Sequence, residues 1–278
     1  MSFPIRSVPV RIRNGPNAGR RWSLAASGRG VWSGRYERDR FEALESLLRE
    51  DDVFWDVGAH RGYAALVAEG VVGSAGAVRA FEPSAENRRY LHQHLRWNRA
   101  DRVAVHPAAL ADFDGTADFG GAGSSVSHRL GGGTEAVEVR TISSLVDDDG
   151  LAAPTFLKID VEGAEGRVLA GARSLLTSLR AREARVPLAL LSVHSARELR
   201  ACLGFLRSFD YRVVGSTHLP VFMDLLDEPW YEDPDLLAVP RGGRVDLPAI
   251  RRMAWFRDGP DLTTPSRHPI EDQREEQP

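Results

Sequence analysis

The stretch that indicates the fold most clearly is residues 53–62, VFWDVGAHRG. The first five residues are a short, mostly apolar run that predicts a buried strand, and a glycine follows at once. Residues 63–69 then predict a helix. Gly58 and Gly62 permit a tight turn and a close approach of the backbone to a ligand. This strand, turn and helix therefore mark the place where a doubly wound fold binds a nucleotide.

The same alternation of predicted strands and helices continues along the chain. Further strands are predicted at 77–82, 103–106, 137–140, 156–160, 188–193, 211–214 and 236–239, and helices at 85–97, 164–179 and 196–209. Strands that are apolar throughout and separated by helices indicate a parallel sheet that is covered on both faces. Right-handed crossovers then give a doubly wound α/β fold with ligands at the carboxyl ends of the strands.

Three regions of the chain differ in pattern. Residues 1–50 form an N-terminal extension, with period-2 alternation at 8–12, a turn at 14–17 and helical spacing over 39–48. The extension is a candidate lid or homodimer element. Residues 51–240 form the nucleotide-binding domain. Residues 241–278 carry no clear period and are expected to be a largely irregular or disordered tail.

Composition excludes several classes of protein. The 278 residues carry 36 basic and 39 acidic side chains, a net charge of −3, so no nucleic acid partner is expected. Cys202 is the one cysteine, which excludes an internal disulfide and a cysteine zinc cluster. No apolar run approaches the roughly 18 residues of a membrane span, and the first residues lack the apolar segment of a signal peptide. These features predict a soluble, cytoplasmic protein.

The first turn separates two classes of nucleotide. A dinucleotide site typically has G-x-G-x-x-G, whereas residues 58–62 have G-x-x-x-G. Asp56 would repel a phosphate and attract an ammonium or sulfonium group. Glu82 lies 20 residues past Gly62 and can accept both hydroxyls of a ribose. S-Adenosyl-L-methionine carries an ammonium group, a sulfonium group and a ribose, and it has no phosphate. The alternatives are an NAD(P)-dependent oxidoreductase and a catalytically silent Rossmann-like binding module.

Several blocks of the chain resemble the FkbM family of S-adenosylmethionine-dependent methyltransferases. They are Tyr36-Glu37; residues 56–62, DVGAHRG, beside the family's D-V-G-A-N-x-G; Phe81-Glu82-Pro83; Gly123-Ser124-Ser125; and residues 158–165, KIDVEGAE, followed by Val168-Leu169 and Gly171-Ala172. Together the blocks cover about residues 34–215. His60 departs from the family pattern, which commonly has asparagine at this position.

The resemblance implies a class I methyltransferase (Rossmann-like) fold, with a mostly parallel seven-stranded sheet whose last strand is antiparallel. It also implies O-methylation of a hydroxyl on a sugar, polyketide or other secondary metabolite, with S-adenosyl-L-methionine as the donor. The cofactor-binding residues are then expected to be Tyr36, Glu37, Asp56, Gly58, Ala59, His60, Gly62, Glu82, Pro83, Ser125 and, beside the adenine, Ala109 and Leu110. Tyr36 and Glu37 are also candidates for part of a lid, and Ser124 and Ser125 can equally belong to an ordinary flexible loop.

Three side chains are candidates for activating the acceptor hydroxyl. Asp160 and Glu162 follow one predicted strand and His194 follows the next, so we expect them to converge at one edge of the sheet. In one mechanism His194 or Asp160 is the general base. In the other, Asp160, Glu162 and His194 hold a divalent cation such as Mg²⁺, which acidifies the hydroxyl. The metal-free route is slightly favoured.

These candidates also have other interpretations. Asp160 can bind the methionine part of the cofactor, and Glu162 can stabilise the following helix near its N-terminus. Lys158 is the only lysine in the chain, which indicates that a compact ammonium is needed there, and we expect it to orient a carboxylate. The remaining histidines are interpreted as surface or packing residues: His92, His94, His106, His128, His218 and His268.

Overall fold

The structure is a computed structural model that describes residues 8–26, 28–121, 129–131, 133, 135–217 and 235–263. Its strands are β1 (Pro9–Arg11), β2 (Arg21–Ser23), β3 (Val53–Val57), β4 (Ala77–Phe81), β5 (Val103–His106), β6 (Ala108–Leu110), β7 (Gly115–Gly120), β8 (Arg129–Leu130), β9 (Glu135–Arg140), β10 (Phe156–Ile159), β11 (Leu188–Ser192), β12 (Tyr211–Gly215) and β13 (Asp235–Pro240). Its helices are α1 (Arg29–Ser33), α2 (Arg38–Leu47), α3 (Tyr63–Val71), α4 (Ala85–Asn98), α5 (Ile142–Asp147), α6 (Glu165–Gly171), α7 (Arg173–Ala181), α8 (Ala196–Ser208) and α9 (Leu247–Arg252), followed by a 3₁₀ turn at Ala254–Phe256.

The central sheet has seven strands in the order β12-β13-β11-β10-β3-β4-β5. The pairs from β11 through β10, β3 and β4 to β5 are parallel, whereas β13 runs antiparallel to both of its neighbours. The predicted doubly wound, mostly parallel seven-stranded sheet with an antiparallel last strand is confirmed. The register places Lys158 of β10 opposite Asp56 of β3, which brings the two residues together at the centre of the sheet.

Two hydrophobic cores cover the two faces of this sheet. Alternate residues of each strand point to opposite faces, so Phe54 and Phe156 belong to one core and Trp55 and Leu157 to the other. The first core also contains apolar residues of α2, α3 and α9. The second contains apolar residues of α5 to α8. The two-sided burial explains why the strands are apolar throughout.

A second sheet, β6-β9-β7-β8, lies beyond the edge of the central sheet. The sequence predicts only the strand at 137–140 of this sheet. It misses β7, which has six residues, as well as β6 and β8, which have three and two. Strands of two or three residues are too short to show a recognisable alternation of apolar and polar residues. The sheet has its own small core, which includes Phe119, Val137 and Val139.

The N-terminal extension packs on the main domain. Its strands β1 and β2 pair antiparallel, and Trp22 of β2 stacks on His94 of α4 with ring centroids 3.7 Å apart. Ser23 N also donates to His94 Nε2 at 3.0 Å. The extension contains β1 where the sequence alternates at 8–12 and α2 where it has helical spacing over 39–48, and His94 is a packing residue.

Residues 241–263 differ from the expected irregular tail, because they contain α9 and the 3₁₀ turn. Asp246 caps α9 by accepting from Ala249 N at 2.7 Å, and Ile250 and Phe256 are completely buried. The helix has six residues, which is too short for an apolar period to be visible in the sequence. Residues 264–278 lie outside the described residues. Among the residues that the structure describes, no helix is both long enough and apolar enough to cross a bilayer.

Candidate active site

A cavity of about 1080 Å³ opens at the carboxyl ends of β3, β4, β10 and β11. Loops of the main domain form its floor, and residues of the N-terminal extension form one wall. Single-ligand pockets typically have volumes of about 300–1,000 Å³, so this cavity lies just above that range.

The first turn forms part of the floor through its backbone. Gly58 has φ 77°, and a Cβ at this position would lie 1.9 Å from the carbonyl oxygen of Asp160. The amides of Gly58 and Ala59 both donate to Phe81 O at 3.0 Å. Gly62 has φ 89° and begins α3 against Leu91, outside the cavity lining. Its contribution is therefore conformational.

Asp56 occupies a different place from the one expected. Its side chain is completely buried below the turn and does not line the cavity, and its Oδ1 lies 3.0 Å from Lys158 Nζ. The expectation that Asp56 attracts the cofactor's cationic groups directly is corrected by this geometry. The register of β3 and β10 places a lysine across from Asp56, so its charge is already compensated within the protein.

Lys158 contacts three acceptors with its compact ammonium. Besides Asp56, it donates to Gly58 O at 2.9 Å and lies 3.5 Å from Asp160 Oδ2. Burial lowers the pKa of Lys158, but the charges of Asp56 and Asp160 raise it more, so the ammonium stays charged. The lysine therefore orients carboxylates, as predicted, and also holds the backbone of the turn.

Glu82 faces the cavity from the end of β4. The residue is 4% exposed, and its carboxylate accepts from His60 N at 2.7 Å, Ser84 N at 2.9 Å and Asn87 Nδ2 at 3.3 Å. Burial raises the pKa of Glu82 more than these hydrogen bonds lower it. A carboxylate has about four acceptor positions, so capacity for a ligand hydroxyl remains.

Several residues of the expected cofactor set line the cavity around Glu82. Pro83, Ala109 and Leu110 line the cavity beside it. His60 has φ 49°, a left-handed conformation in which asparagine is also common. Because the residue reaches Glu82 through its backbone amide, the departure from asparagine leaves that contact intact. Ser125, together with Ser124, lies outside the described residues.

Asp160, Glu162 and His194 converge as predicted. His194 Nε2 lies 3.5 Å from Asp160 Oδ1 and 3.6 Å from Glu162 Oε2, and one ligand atom from each residue lies within 4.8 Å of the others. His194 Nδ1 is 2.8 Å from Glu165 Oε1. Glu162 has φ 58°, a strained conformation for a residue with a side chain, and such residues cluster at functional sites.

The charges of this group are set by its neighbours. Burial lowers the pKa of His194, but the hydrogen bond to Glu165 and the charges of Asp160 and Glu162 raise it by more, so that its pKa is about 10. Burial raises the pKa of Asp160, but Lys158, Arg40 and His194 lower it well below its usual range. At neutral pH the cluster thus holds an imidazolium between carboxylates.

Comparison with known proteins identifies the family of this chain. Residues 56–213, more than half of the chain, match the methyltransferase FkbM domain. The chain belongs to the FkbM methyltransferase family. It is also 30% identical over 152 residues to the hexuronic acid methyltransferase AglP of Haloferax volcanii, covering 52% of this chain and 60% of that relative.

Two solved structures are similar to this chain. Methyltransferase FkbM from Methylobacillus flagellatus KT has a TM-score of 0.48 and 24% identity, over 69% of this chain and 45% of that one. The O-methyltransferase TomG from Streptomyces achromogenes, in complex with S-adenosylmethionine, has a TM-score of 0.43 and 12% identity, over 73% of this chain and 80% of that one.

The FkbM domain match leaves out the N-terminal extension, although the extension contributes to the cavity. Tyr36 and Glu37 line it as expected, together with Arg40, which sequence reasoning missed. Arg40 is spaced with Leu44 and Leu47 on the apolar face of α2, and a charge on that face was the available signal. Ser192 and Asp235 were also missed, and their positions at strand ends carried no distinguishing signal.

Proposed function

We propose that this FkbM methyltransferase transfers a methyl group from S-adenosyl-L-methionine to a hydroxyl of a small molecule or glycan. The observation that carries the proposal is one continuous cavity with Glu82 at one position and the Asp160–Glu162–His194 cluster at another. Methyl transfer is an in-line displacement, in which the acceptor oxygen forms the new bond to carbon as the bond to sulfur breaks. Much of the rate therefore depends on holding the two reactants in alignment.

The donor end of the cavity fits a nucleoside. Glu82 has acceptor capacity left for a ribose hydroxyl, and the apolar side chains of Ala109, Leu110 and Phe119 offer a surface for the adenine ring. A sugar acceptor is supported by the similarity to AglP, a hexuronic acid methyltransferase.

The Asp160–Glu162–His194 cluster is the proposed site of acceptor activation. An alcohol is a weak nucleophile at neutral pH, and a positioned base typically accelerates proton removal by 10²–10⁴-fold. His194 can accept that proton only as the neutral imidazole, which is the minor form at neutral pH because the pKa of His194 is about 10. Alternatively, the two carboxylates and Nε2 fit a divalent cation, because Glu165 fixes the other ring nitrogen. Such a cation would lower the pKa of a bound hydroxyl.

Ligand binding and turnover test the proposal. We expect S-adenosylhomocysteine to bind in calorimetry and NAD not to bind, and labelled methyl to pass to an acceptor in a panel of sugars that includes hexuronic acids. Glu82→Gln should weaken S-adenosylhomocysteine binding by about 10-fold, the loss of roughly 1.5 kcal/mol of charge-assisted hydrogen bonding. Glu86→Gln is the matched control, because that carboxylate is exposed and lies outside the cavity lining. Binding of NAD alone would support an oxidoreductase, and binding without transfer to any acceptor would support a silent module.

Chelation separates the two routes of activation. If a cation is used, EDTA should reduce transfer at least 10-fold and Mg²⁺ or Mn²⁺ should restore it, with S-adenosylhomocysteine binding little changed. If His194 is the base, EDTA should have no effect, and His194→Gln should reduce transfer by 10²–10⁴-fold. Asp210→Asn, at an exposed ion pair with Arg241, is the control for a general effect of charge.

A further inference from the structure

Arg40 lies at the centre of a buried group of charges beside the active site. Its side chain is 9% exposed and belongs to α2 of the N-terminal extension. The guanidinium contacts Glu37 Oε2 at 2.5 Å, Asp160 Oδ2 at 3.2 Å and Asp235 Oδ2 at 3.0 Å, and it donates to Ser192 Oγ. One cation thus contacts the neighbouring carboxylate of Glu37 and two carboxylates, Asp160 and Asp235, from distant parts of the chain.

The contact with Asp160 determines which of its oxygens faces the active site. Arg40 and Lys158 both lie on Oδ2, whereas Oδ1 faces His194 Nε2 at 3.5 Å. A carboxylate held at one oxygen by two cations has little freedom to rotate. The orientation of Oδ1 toward His194 therefore depends on Arg40 as well as on Lys158.

Asp235 anchors the guanidinium on its other side. Its Oδ2 also accepts from Trp255 Nε1 at 2.7 Å, and its Oδ1 accepts from Ser192 Oγ at 2.6 Å. Asp235 is completely buried. The C-terminal segment, β13 and β11 therefore converge on the same guanidinium that the N-terminal helix supplies.

We propose that Arg40 is a positioning residue for methyl transfer, acting through Asp160, and that Asp235 and Trp255 hold it in place. The inference rests on the proposed function and extends the active site to segments on either side of the FkbM domain match. The planar guanidinium has five donors in a fixed fork, which an ammonium cannot reproduce. Lysine at this position would keep the charge and lose part of the contacts.

Arg40→Lys tests the proposal in two ways. In a crystal structure with S-adenosylhomocysteine, we expect the Asp160 carboxylate to rotate so that Oδ1 leaves His194. In turnover with an acceptor identified from the panel of sugars, we expect kcat to fall by about 10²-fold. This is a typical cost of misplacing a reacting group by about 1 Å. The Kd for S-adenosylhomocysteine should stay within about 3-fold. Arg20→Lys is the matched control, because Arg20 belongs to the same extension and pairs with Glu69 outside the cavity lining.

Trp255→Phe provides a second test that keeps the ring in place. It removes the donor to Asp235, and we expect a smaller fall in kcat, about 5- to 10-fold, in the same direction. An unmoved Asp160 carboxylate with wild-type kcat in Arg40→Lys would overturn the positioning role and leave the proposed function standing. Absence of transfer in the wild type, with Asp160 displaced in the variant, would instead overturn the proposed function alone. If Arg40→Lys does not fold, wild-type kcat in Trp255→Phe would count against the proposal.

Discussion

His194 gives the protein a pH-dependent stability of predictable sign. Its pKa in the folded state is about 10, above the 6.5 of an unperturbed histidine, because Glu165, Asp160 and Glu162 stabilise the imidazolium more than burial destabilises it. The folded state therefore binds the extra proton more tightly than the unfolded state. The stabilisation is fully present below pH 6.5 and is lost as the pH rises toward 10.

Chemical denaturation at several pH values checks this prediction. With EDTA present, the free energy of unfolding of the wild type should fall between pH 6.5 and 10 by an amount on the order of 2–4 kcal/mol beyond that of His194→Gln. His92→Gln is the control, because burial and nearby arginines lower the pKa of that histidine instead. Parallel curves for the wild type and His194→Gln would contradict the charge assignment.

Individual site residues could be predicted where the local backbone alone determines their position. Gly58 was predicted because its turn requires a left-handed conformation, and Glu82 because it ends the strand next to that turn. The place of Asp56 could not be predicted, since it depends on the register between β3 and β10, which brings Lys158 opposite. Arg40 and Asp235 meet across 195 residues of sequence, and no local pattern reports such a contact.

Helix α9 illustrates how a short element is stabilised by tertiary contacts. The Asp246 cap and the burial of Ile250 in the first core hold six residues in a helix that would not form in isolation. Ile250→Ala should therefore lower the free energy of unfolding by about 2–5 kcal/mol, whereas Ile250→Val should lower it by about 0.5–1.5 kcal/mol. Urea denaturation of both variants measures the difference, and equal small losses would show that α9 is not packed as described.

The long helices and the central strands were predictable, whereas most strands of the second sheet were not. Helices α4 and α8, with 14 and 13 residues, complete enough turns for their apolar faces to appear in the sequence. The central strands appear as apolar runs because both of their faces are buried. The second sheet depends on pairing between β7 and β9, which are separated by residues with no alternation of their own. That pairing is a tertiary effect, so sequence periodicity could not reveal it.

The N-terminal extension, the central sheet and the C-terminal segment share one hydrophobic core and one buried cation. Trp22, Phe54 and Phe256 belong to the same core, and Arg40 connects α2 to Asp235 of β13. A chain joined in this way should open as a unit, because separating the extension would leave Asp160 and Asp235 with less compensation of their charge. The alternative is an extension that detaches on its own, as a freely moving lid would.

Native-state hydrogen exchange distinguishes these two behaviours. As guanidinium chloride is increased, the amides of α2 and those of β3 should exchange with the same free energy of opening, equal to that of global unfolding. Val10, in strand β1, whose residues are exposed or half-buried, is the internal reference and should exchange with a lower free energy. In Arg40→Lys, the value for α2 should fall below that for β3, because the cation that joins them has lost part of its contacts. If α2 already opened more easily than β3 in the wild type, the extension would be a separate unit, and its contribution to the active site would be transient.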